Sequence, residues 1–294
     1  MPLPVLVPRF GAILLTMNDR PEDFPRALDS LLAQQGIELE VVVVGNGVVP
    51  EQVPDGIRTV TLEENVGIPE GRNIGARALV TDPDLLFFFD NDAVLPETDT
   101  LARLAERLRS HPRHGYIQPR IADPATGTTV RRWVPRLRAA DVQRSGTVMV
   151  MAEGVVVIRR EAFERSGGRP GHFFLYHEGI DLAWRIWNLG YTGYYAPDLI
   201  VHHPATDPAR HSRYYRLVAR NRVWLAMRLL PLPLIPVYLA TWVLLSLVRI
   251  HSPKALHTWF GGLREGLMGG WGTRTPLRWR TVLRLTRAGR PPVV

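Results

Sequence analysis

Between Phe10 and Pro119 apolar runs alternate with longer amphipathic ones, and this alternation constrains the chain more than any other feature. GAILLT, ELEVVVVG, IRTVTL, LLFFFD and YIQPR read as strands. PEDFPRALDSLLAQQ, PEGRNIGARALV and ETDTLARLAERLRS, which lie between them, read as helices. Strands that are apolar along their length have both faces covered, so the pattern predicts an α/β fold: a doubly wound, mainly parallel sheet with helices on both faces. In such a sheet ligands collect at the carboxyl ends of the strands. Residues 121–168 are less regular, with strand candidates at 128–133 and 155–159. A helix is expected over 178–189, followed by short strands ending in LIVHH.

A basic helix is expected over 209–230, and after it the character changes. Residues 229–248, LLPLPLIPVYLATWVLLSLV, carry no charge and are about long enough to cross a bilayer. Prolines 231, 233 and 236 argue against a straight span, because each removes a backbone donor that lipid cannot replace. Arginines 220, 222, 228 and 249 flank the segment where anionic headgroups would attract them. A monotopic or re-entrant membrane contact is therefore favoured over a span. The alternative is a proline-kinked helical hairpin packed on the rest of the chain or on a homodimer mate. The expected division is a larger unit over 1–208 and a basic, apolar, helical membrane-associating region over 209–294.

The net charge of +8, carried largely by clustered arginine, suits anionic partners. Those arginines accompany a proline-broken apolar segment rather than a nucleic-acid module, so membrane phosphates are expected and nucleic acid is not. The absence of cysteine excludes disulfides and thiolate metal sites. MPLPVLVPRFGAILL lacks a basic leader and is broken by prolines, so it does not read as a signal peptide.

The strand LLFFFD runs into Asn91 and Asp92, which places two carboxylates, Asp90 and Asp92, at the sheet's carboxyl edge. Residues two apart on an extended chain face the same way, and two hard oxygen donors suit Mg²⁺ or Mn²⁺ with phosphate oxygens as further ligands. Alone, DNDAVLP also reads as an ordinary strand-to-helix loop. ENVGIPEGRNIGARAL puts Gly67, Gly71 and Gly75 around a helix start with Arg72 and Asn73 among them, an arrangement favourable to an anion. It also reads as a glycine-tolerant helix packed on a sheet. Glu178 and Asp181 share one helix face, although Arg185 could pair with Asp181 in a purely structural role. His202 and His203 end a strand, where a histidine is a metal ligand or a surface residue.

Taken in order, AILLTMND, NVGIPEGRNIGARAL, FFFDND, the GG before FFLYHEGIDLAWRIWNLGY, and the closing VHH resemble the family 2 glycosyltransferases of the GT-A fold, most closely the rhamnosyltransferase-like branch. The resemblance implies an inverting, metal-dependent glycosyltransferase. It would move a sugar from a nucleotide-diphosphate donor, dTDP-rhamnose or a UDP-sugar, to a hydroxyl acceptor. Thr16, Asn18, Asn46, Asn65, Gly67, Arg72, Asn73, Asp90 and Asn91 would bind the nucleotide sugar. Asp90, Asp92 and His202 would hold the metal, with Glu178 or Asp181 as the base.

Two departures stand out. Gly45 and Asn46 occupy the usual Asp-rich turn after the second strand, and Gly179 stands where the second acidic residue, often the base, is expected. The latter admits a non-catalytic membrane-associated scaffold of the same fold as a rival. Joined to the apolar C-terminal segment, the resemblance points to a polyprenyl-linked saccharide acceptor in cell-wall or surface-polysaccharide assembly, at the cytoplasmic face of the membrane. A soluble natural-product acceptor is the alternative.

Overall fold

A computed structural model of the chain describes residues 7–136, 141–206 and 213–293. Its first half follows the expected order: β1 (Arg9–Thr16), α1 (Asp23–Leu32), β2 (Glu38–Asn46), β3 (Arg58–Leu62), α2 (Ile68–Arg77), β4 (Leu85–Asp90), α3 (Thr100–Ser110) and β5 (His114–Ala122). Next come a 3₁₀ turn at Arg131–Trp133, β6 (Gly146–Val148), β7 (Val155–Arg159), α4 (Arg160–Arg165), a second 3₁₀ turn at Gly171–Phe173, α5 (Glu178–Asn188) and β8 (Thr192–His202). Four helices complete the chain: α6 (Tyr214–Leu229), α7 (Leu234–Arg249), α8 (Pro253–Leu267) and α9 (Trp279–Arg287). Residues 209–212 of the expected basic helix, and the 208/209 division, lie outside the described residues.

The strands form one sheet in the order β3-β2-β1-β4-β7-β5-β8-β6. β1 pairs in parallel with β2 and β4, β2 with β3, and β5 with β8, as the apolar runs predict. β7 runs antiparallel between β4 and β5, and β6 antiparallel to β8, so the sheet is mixed. An antiparallel neighbour needs no helical crossover, and the apolar run of β7 cannot by itself reveal its direction. The strand expected over 128–133 does not form. Asp123 ties the chain into a turn instead: its Oδ1 accepts the amides of Ala125 and Thr126, both at 3.0 Å, and its own amide donates to the Thr128 carbonyl.

Two apolar clusters sandwich the sheet, and strand alternation assigns each residue to one of them. Phe87 and Phe89 of β4 join one cluster, while Leu86 and Phe88 join the other; Val155 and Val157 of β7 likewise part from Val156 and Ile158. On the first side α1 buries Phe24, Ala27, Leu28 and Leu31, and α3 buries Leu101, Leu104, Ala105 and Leu108. Both sets follow the i, i+3, i+4, i+7 spacing of a helix face, and each large side chain contributes about 1.5–3 kcal/mol by leaving water. On the second side α2 lies unusually close to β1, because a Cβ at Gly71 or Gly75 would meet Leu15 or Ile13 at 2.6 or 2.5 Å. That approach carries the amino end of α2 to the carboxyl edge of the sheet.

The same second cluster takes in Trp224, Leu225 and Leu229 of α6, Ile235 and Tyr238 of α7, and Leu285 of α9. Helices α6, α7 and α9 therefore share a core with the sheet. The uncharged 229–248 segment is divided: Leu230 is extended ahead of Pro231, as a residue before proline prefers, and ends α6. α7 then starts after Pro233, with Pro236 in its first turn, where a missing N–H costs nothing. With 16 residues, α7 is about 24 Å long. Among the described residues no helix is long and apolar enough to cross a membrane.

Candidate active site

The carboxyl ends of β1, β2, β4 and β8 converge on a cavity of about 590 Å³. Asn46 from the end of β2, Asn65 and Gly67 from the turn into α2, Arg72 from α2, and Asp90, Asn91 and Asp92 from the end of β4 line it. The asparagines form a small lattice. Asn46 Nδ2 donates to Asn65 Oδ1 (2.9 Å), Asn46 Oδ1 accepts the Val66 amide (2.9 Å), and Asn65 Oδ1 accepts the Gly67 amide (2.9 Å). Gly67 caps α2 with φ of 84°, a left-handed conformation that favours glycine, and a Cβ there would lie 2.5 Å from the Phe174 carbonyl oxygen.

At the far wall of this cavity Asp90, Asp92 and His203 each present one ligand atom, and the three atoms lie within 4.8 Å of one another. His203 Nε2 stands 3.1 Å from Asp92 Oδ1 and 3.4 Å from Asp90 Oδ2. Its Nδ1 lies 2.8 Å from the Pro204 carbonyl, which can only accept, so Nδ1 carries the proton and Nε2 is the ligand atom. Two carboxylates and an imidazole are a donor set that fits Mn²⁺ or Mg²⁺ with phosphate oxygens completing the shell. Burial opposes ionisation of Asp90, but Arg72 and His203 outweigh it and hold the carboxyl at about 2. Burial likewise favours the neutral His203 ring, yet the hydrogen bonds and charges of Asp90 and Asp92 push it up to about 10. Without a metal, then, the imidazolium takes the place of a cation between the two aspartates.

The histidine identified from sequence is one residue off. His202 forms a reciprocal backbone pair with Val94, at 2.8 Å in each direction, and His203 is the residue that reaches the aspartates. The β5–β8 pairing shifts register between Pro119 and Arg120, which breaks any simple parity count along the strand.

Three more expected ligand-binding residues are committed elsewhere. Thr16 Oγ1 accepts the Asn18 amide (3.0 Å), and Asn18 spans to Val49 and Glu51, so both shape the turn after β1. Asn73 Nδ2 donates to Glu70 (3.0 Å) and to the Arg169 carbonyl (2.9 Å), which fastens α2 to the segment before α5. None of the three lines the cavity.

A second cavity, of about 390 Å³, adjoins the first across Asp90, His203, Trp133 and Tyr176. Glu153, Gly154, His177 and Ile180 are among its other walls. Trp133 meets His203 edge to face, with centroids 5.4 Å apart. The loop before α5 is strained: Phe174, Tyr176 and His177 all have φ between 67° and 72°. Asn221 of α6 holds it, with its amide nitrogen 3.0, 2.8 and 2.8 Å from the carbonyls of Phe173, Leu175 and Tyr176.

Neither expected base lines either of these two cavities. Asp181 is fully buried between two arginines, with Arg185 Nε at 2.6 Å and Arg228 Nε at 3.0 Å; it is a structural anchor. Glu178 is also fully buried, and its carboxyl faces that of Glu153. Burial pushes its carboxyl up, while Arg169 and Arg72 pull it down. Glu153, which carries no motif in the sequence, lies between Glu178 and the second cavity. Burial and the Glu178 carboxylate push it well above the ordinary range. Arg169 is buried 4.4 Å over the Phe88 ring, and burial and Arg72 bring it down to about 9.

Among curated protein sequences no relative is found. Solved structures share the fold at low identity. GalNAc-T7 with UDP, GalNAc and Mn²⁺ superposes with a TM-score of 0.65 at 14% identity, over 98% of this chain and 59% of that one. The mannosyltransferase PcManGT from Pyrobaculum calidifontis, with GDP-Man and Mn²⁺, gives 0.57 at 21% identity, over 98% and 81%. S. aureus TarS 1–349 gives 0.61 at 14% identity, over 97% and 88%. Residues 12–167, more than half of the chain, match Glycosyl transferase family 2. That stretch holds the turn after β2, the amino end of α2, and Asp90 and Asp92, and the chain belongs to Glycosyl transferase family 2.

Proposed function

We propose that the protein transfers a sugar from a nucleoside-diphosphate donor in the larger cavity to a hydroxyl acceptor in the smaller one, with inversion at the anomeric carbon. The observation that carries this reading is the Asp90–Asp92–His203 cluster, which sits where the two cavities meet. Asp90, Asp92 and His203 would hold a divalent cation, which would supply positive charge toward the leaving diphosphate. Arg72 hydrogen-bonds Asp90 and the Glu153 carbonyl, so it fixes β4 against the chain entering β7. Asn46 and Asn65 line the larger cavity, where their mutual hydrogen bond and those to the Val66 and Gly67 amides would shape the wall beside the base and ribose. The rhamnosyltransferase-like resemblance makes dTDP-rhamnose the first donor to test. UDP-sugars and GDP-mannose follow, since UDP and GDP-Man accompany two of the structural neighbours.

Thermal melting with UDP, dTDP or GDP tests the donor site. At least one nucleotide is expected to raise Tm only when Mn²⁺ is present, by the equivalent of about 2.7 kcal/mol at a hundredfold excess over Kd. No shift with any of them would remove the reading.

The acceptor proposed is a lipid-linked saccharide on an anionic cytoplasmic membrane face. Its support is the outer face of α7 and its approach: Leu232 is 70% exposed, Leu244 64% and Val248 73%, with Arg249 and Lys254 exposed beside them. Truncation at 229 would open the shared core, so a surface change is the cleaner probe. Leu244→Asp with Val248→Asp is expected to abolish co-sedimentation with vesicles containing anionic lipid at unchanged Tm. Unchanged vesicle binding refutes the membrane assignment, and a loss of dimerisation in its place assigns the face to a second copy.

A further inference from the structure

We infer that Glu153 is the general base, standing in for the side chain that Gly179 lacks. The inference rests on the glycosyl-transfer reading and names the group that accepts the acceptor's proton. Three observations converge on it.

The first is spatial. A Cβ built on Gly179 would lie 2.6 Å from Glu153 Cγ, 3.0 Å from the Met151 carbonyl oxygen and 3.1 Å from Glu153 Oε1, so the Glu153 side chain takes most of the space that a residue-179 side chain would need. The Gly179 amide seals the arrangement by donating to Glu153 Oε1 at 2.9 Å. Glycine at 179 and glutamate at 153 are therefore complementary, and neither position can be enlarged without moving the other. Gly179 has no left-handed torsion to explain it, since it lies in the first turn of α5.

The second is access. Of the carboxylates around the smaller cavity, Glu153 and Asp90 line it. Asp90 is held by Arg72 and shared with His203. Glu178 and Asp181 are fully buried behind, and the latter is neutralised by its two arginines.

The third is placement relative to the donor. Glu153 is followed by Gly154, whose absent Cβ leaves room for Asp90; an added one would fall 1.8 Å from Asp90 Oδ2. The backbone carrying Glu153 thus abuts the metal-side cluster, and Arg72 binds both Asp90 and the Glu153 carbonyl. A hydroxyl in the smaller cavity would meet the glutamate on one side and the anomeric carbon on the other. In the step, the acceptor oxygen bonds to the anomeric carbon as its proton passes to Glu153. The bond from that carbon to the diphosphate oxygen breaks, with its electron pair leaving on the diphosphate.

The test compares Glu153→Gln, Glu178→Gln and a carboxylate exchange, Glu153→Ala with Gly179→Asp, using purified full-length protein, the best-binding nucleotide sugar and Mn²⁺. Removing a general base is expected to cost about 10²–10⁴-fold in kcat, so Glu153→Gln and Glu153→Ala should fall by at least about a hundredfold. Donor KM should stay within about twofold for both. Glu178→Gln should keep at least about a third of the maximal rate while moving the acid limb of the kcat–pH profile to lower pH, because the carboxylate that pushes Glu153 up is gone. The exchange should recover about tenfold or more over Glu153→Ala, because it returns a carboxylate to the same space from α5; a merely structural Glu153 gives no such recovery. Glu153→Gln with wild-type kcat, or a loss confined to Glu178→Gln, overturns the assignment while leaving glycosyl transfer intact. A wild type that binds no nucleoside diphosphate with Mn²⁺ overturns both.

Discussion

Asp92→Asn lowers the rate of sugar transfer by about 10²–10³-fold, with Tm within about 2 °C of wild type; the magnitude is that of removing one group aimed at developing negative charge. The substitution keeps the volume and removes a single charge from the donor set. Asp92 is 9% exposed at its side chain and stands 3.1 Å from His203 Nε2 and 3.6 Å from an Arg20 guanidinium nitrogen. The asparagine oxygen can still accept from His203, and only the longer contact to the partly exposed Arg20 is given up, so the fold survives. Varying Mn²⁺ at saturating donor separates the cause: the variant should need at least about tenfold more metal. His203→Ala should share that increase, and His202→Ala should not. Wild-type Mn²⁺ dependence in Asp92→Asn would detach the cluster from metal binding. The sign of the pH dependence follows from His203. Its pKa of about 10 lies above the ordinary value near 6.5, so the imidazolium contributes stability that is full below about 6.5 and lost as pH rises toward 10. Metal must displace that proton, so Mn²⁺ affinity rises with pH over the same interval.

Asp181→Ala destabilises the whole chain by about 3–5 kcal/mol, measured as a lower urea midpoint with an unchanged m-value. The carboxylate is fully buried, and its loss leaves two guanidinium groups without their counter-charge. Arg185 also donates to the Ser166 and Gly168 carbonyls, and Arg228 to those of Trp271 and Thr273. One side chain thus ties together α5, α6, the turn after α4 and the segment between α8 and α9. A loss below about 1 kcal/mol would mean that these arginines are satisfied without it.

What could be read from the sequence was what apolar content determines. β1, β2 and β4 are saturated with buried side chains, and α1 and α3 show a clean helical stripe, so their type and order were readable. Direction was not, because Val155–Arg159 is equally apolar whichever way it runs. Within the site, Asp90 and Asp92 were readable as a pair at a strand end, although the turn after β4, closed by the Ala93 amide on the Asp90 carbonyl, and not an extended spacing brings them together. His203 was not, since a register irregularity upstream decides which of two adjacent histidines faces inward. Thr16 and Asn18 stand at the right chain positions but spend polar atoms on backbone partners, as turn residues often do, and Asn73, within α2, spends its amide on Glu70 and the Arg169 backbone. Glu153 had no local signal at all. Its clue was the missing carboxylate at Gly179, and a gap in one element cannot name the distant residue that fills it.

The grip of Asn221 on the loop before α5 sets how variation in this chain must be paired. Three non-glycine residues in left-handed torsions cost about 1–3 kcal/mol each, and the amide that offsets them belongs to a helix 45–48 positions further along. Loss of that amide would be felt first where Tyr176 and His177 border the smaller cavity, as a relaxed wall rather than a damaged helix. The loop and α6 can therefore diverge only together, and a homologue with a different residue at 221 should carry a differently built loop at 174–177.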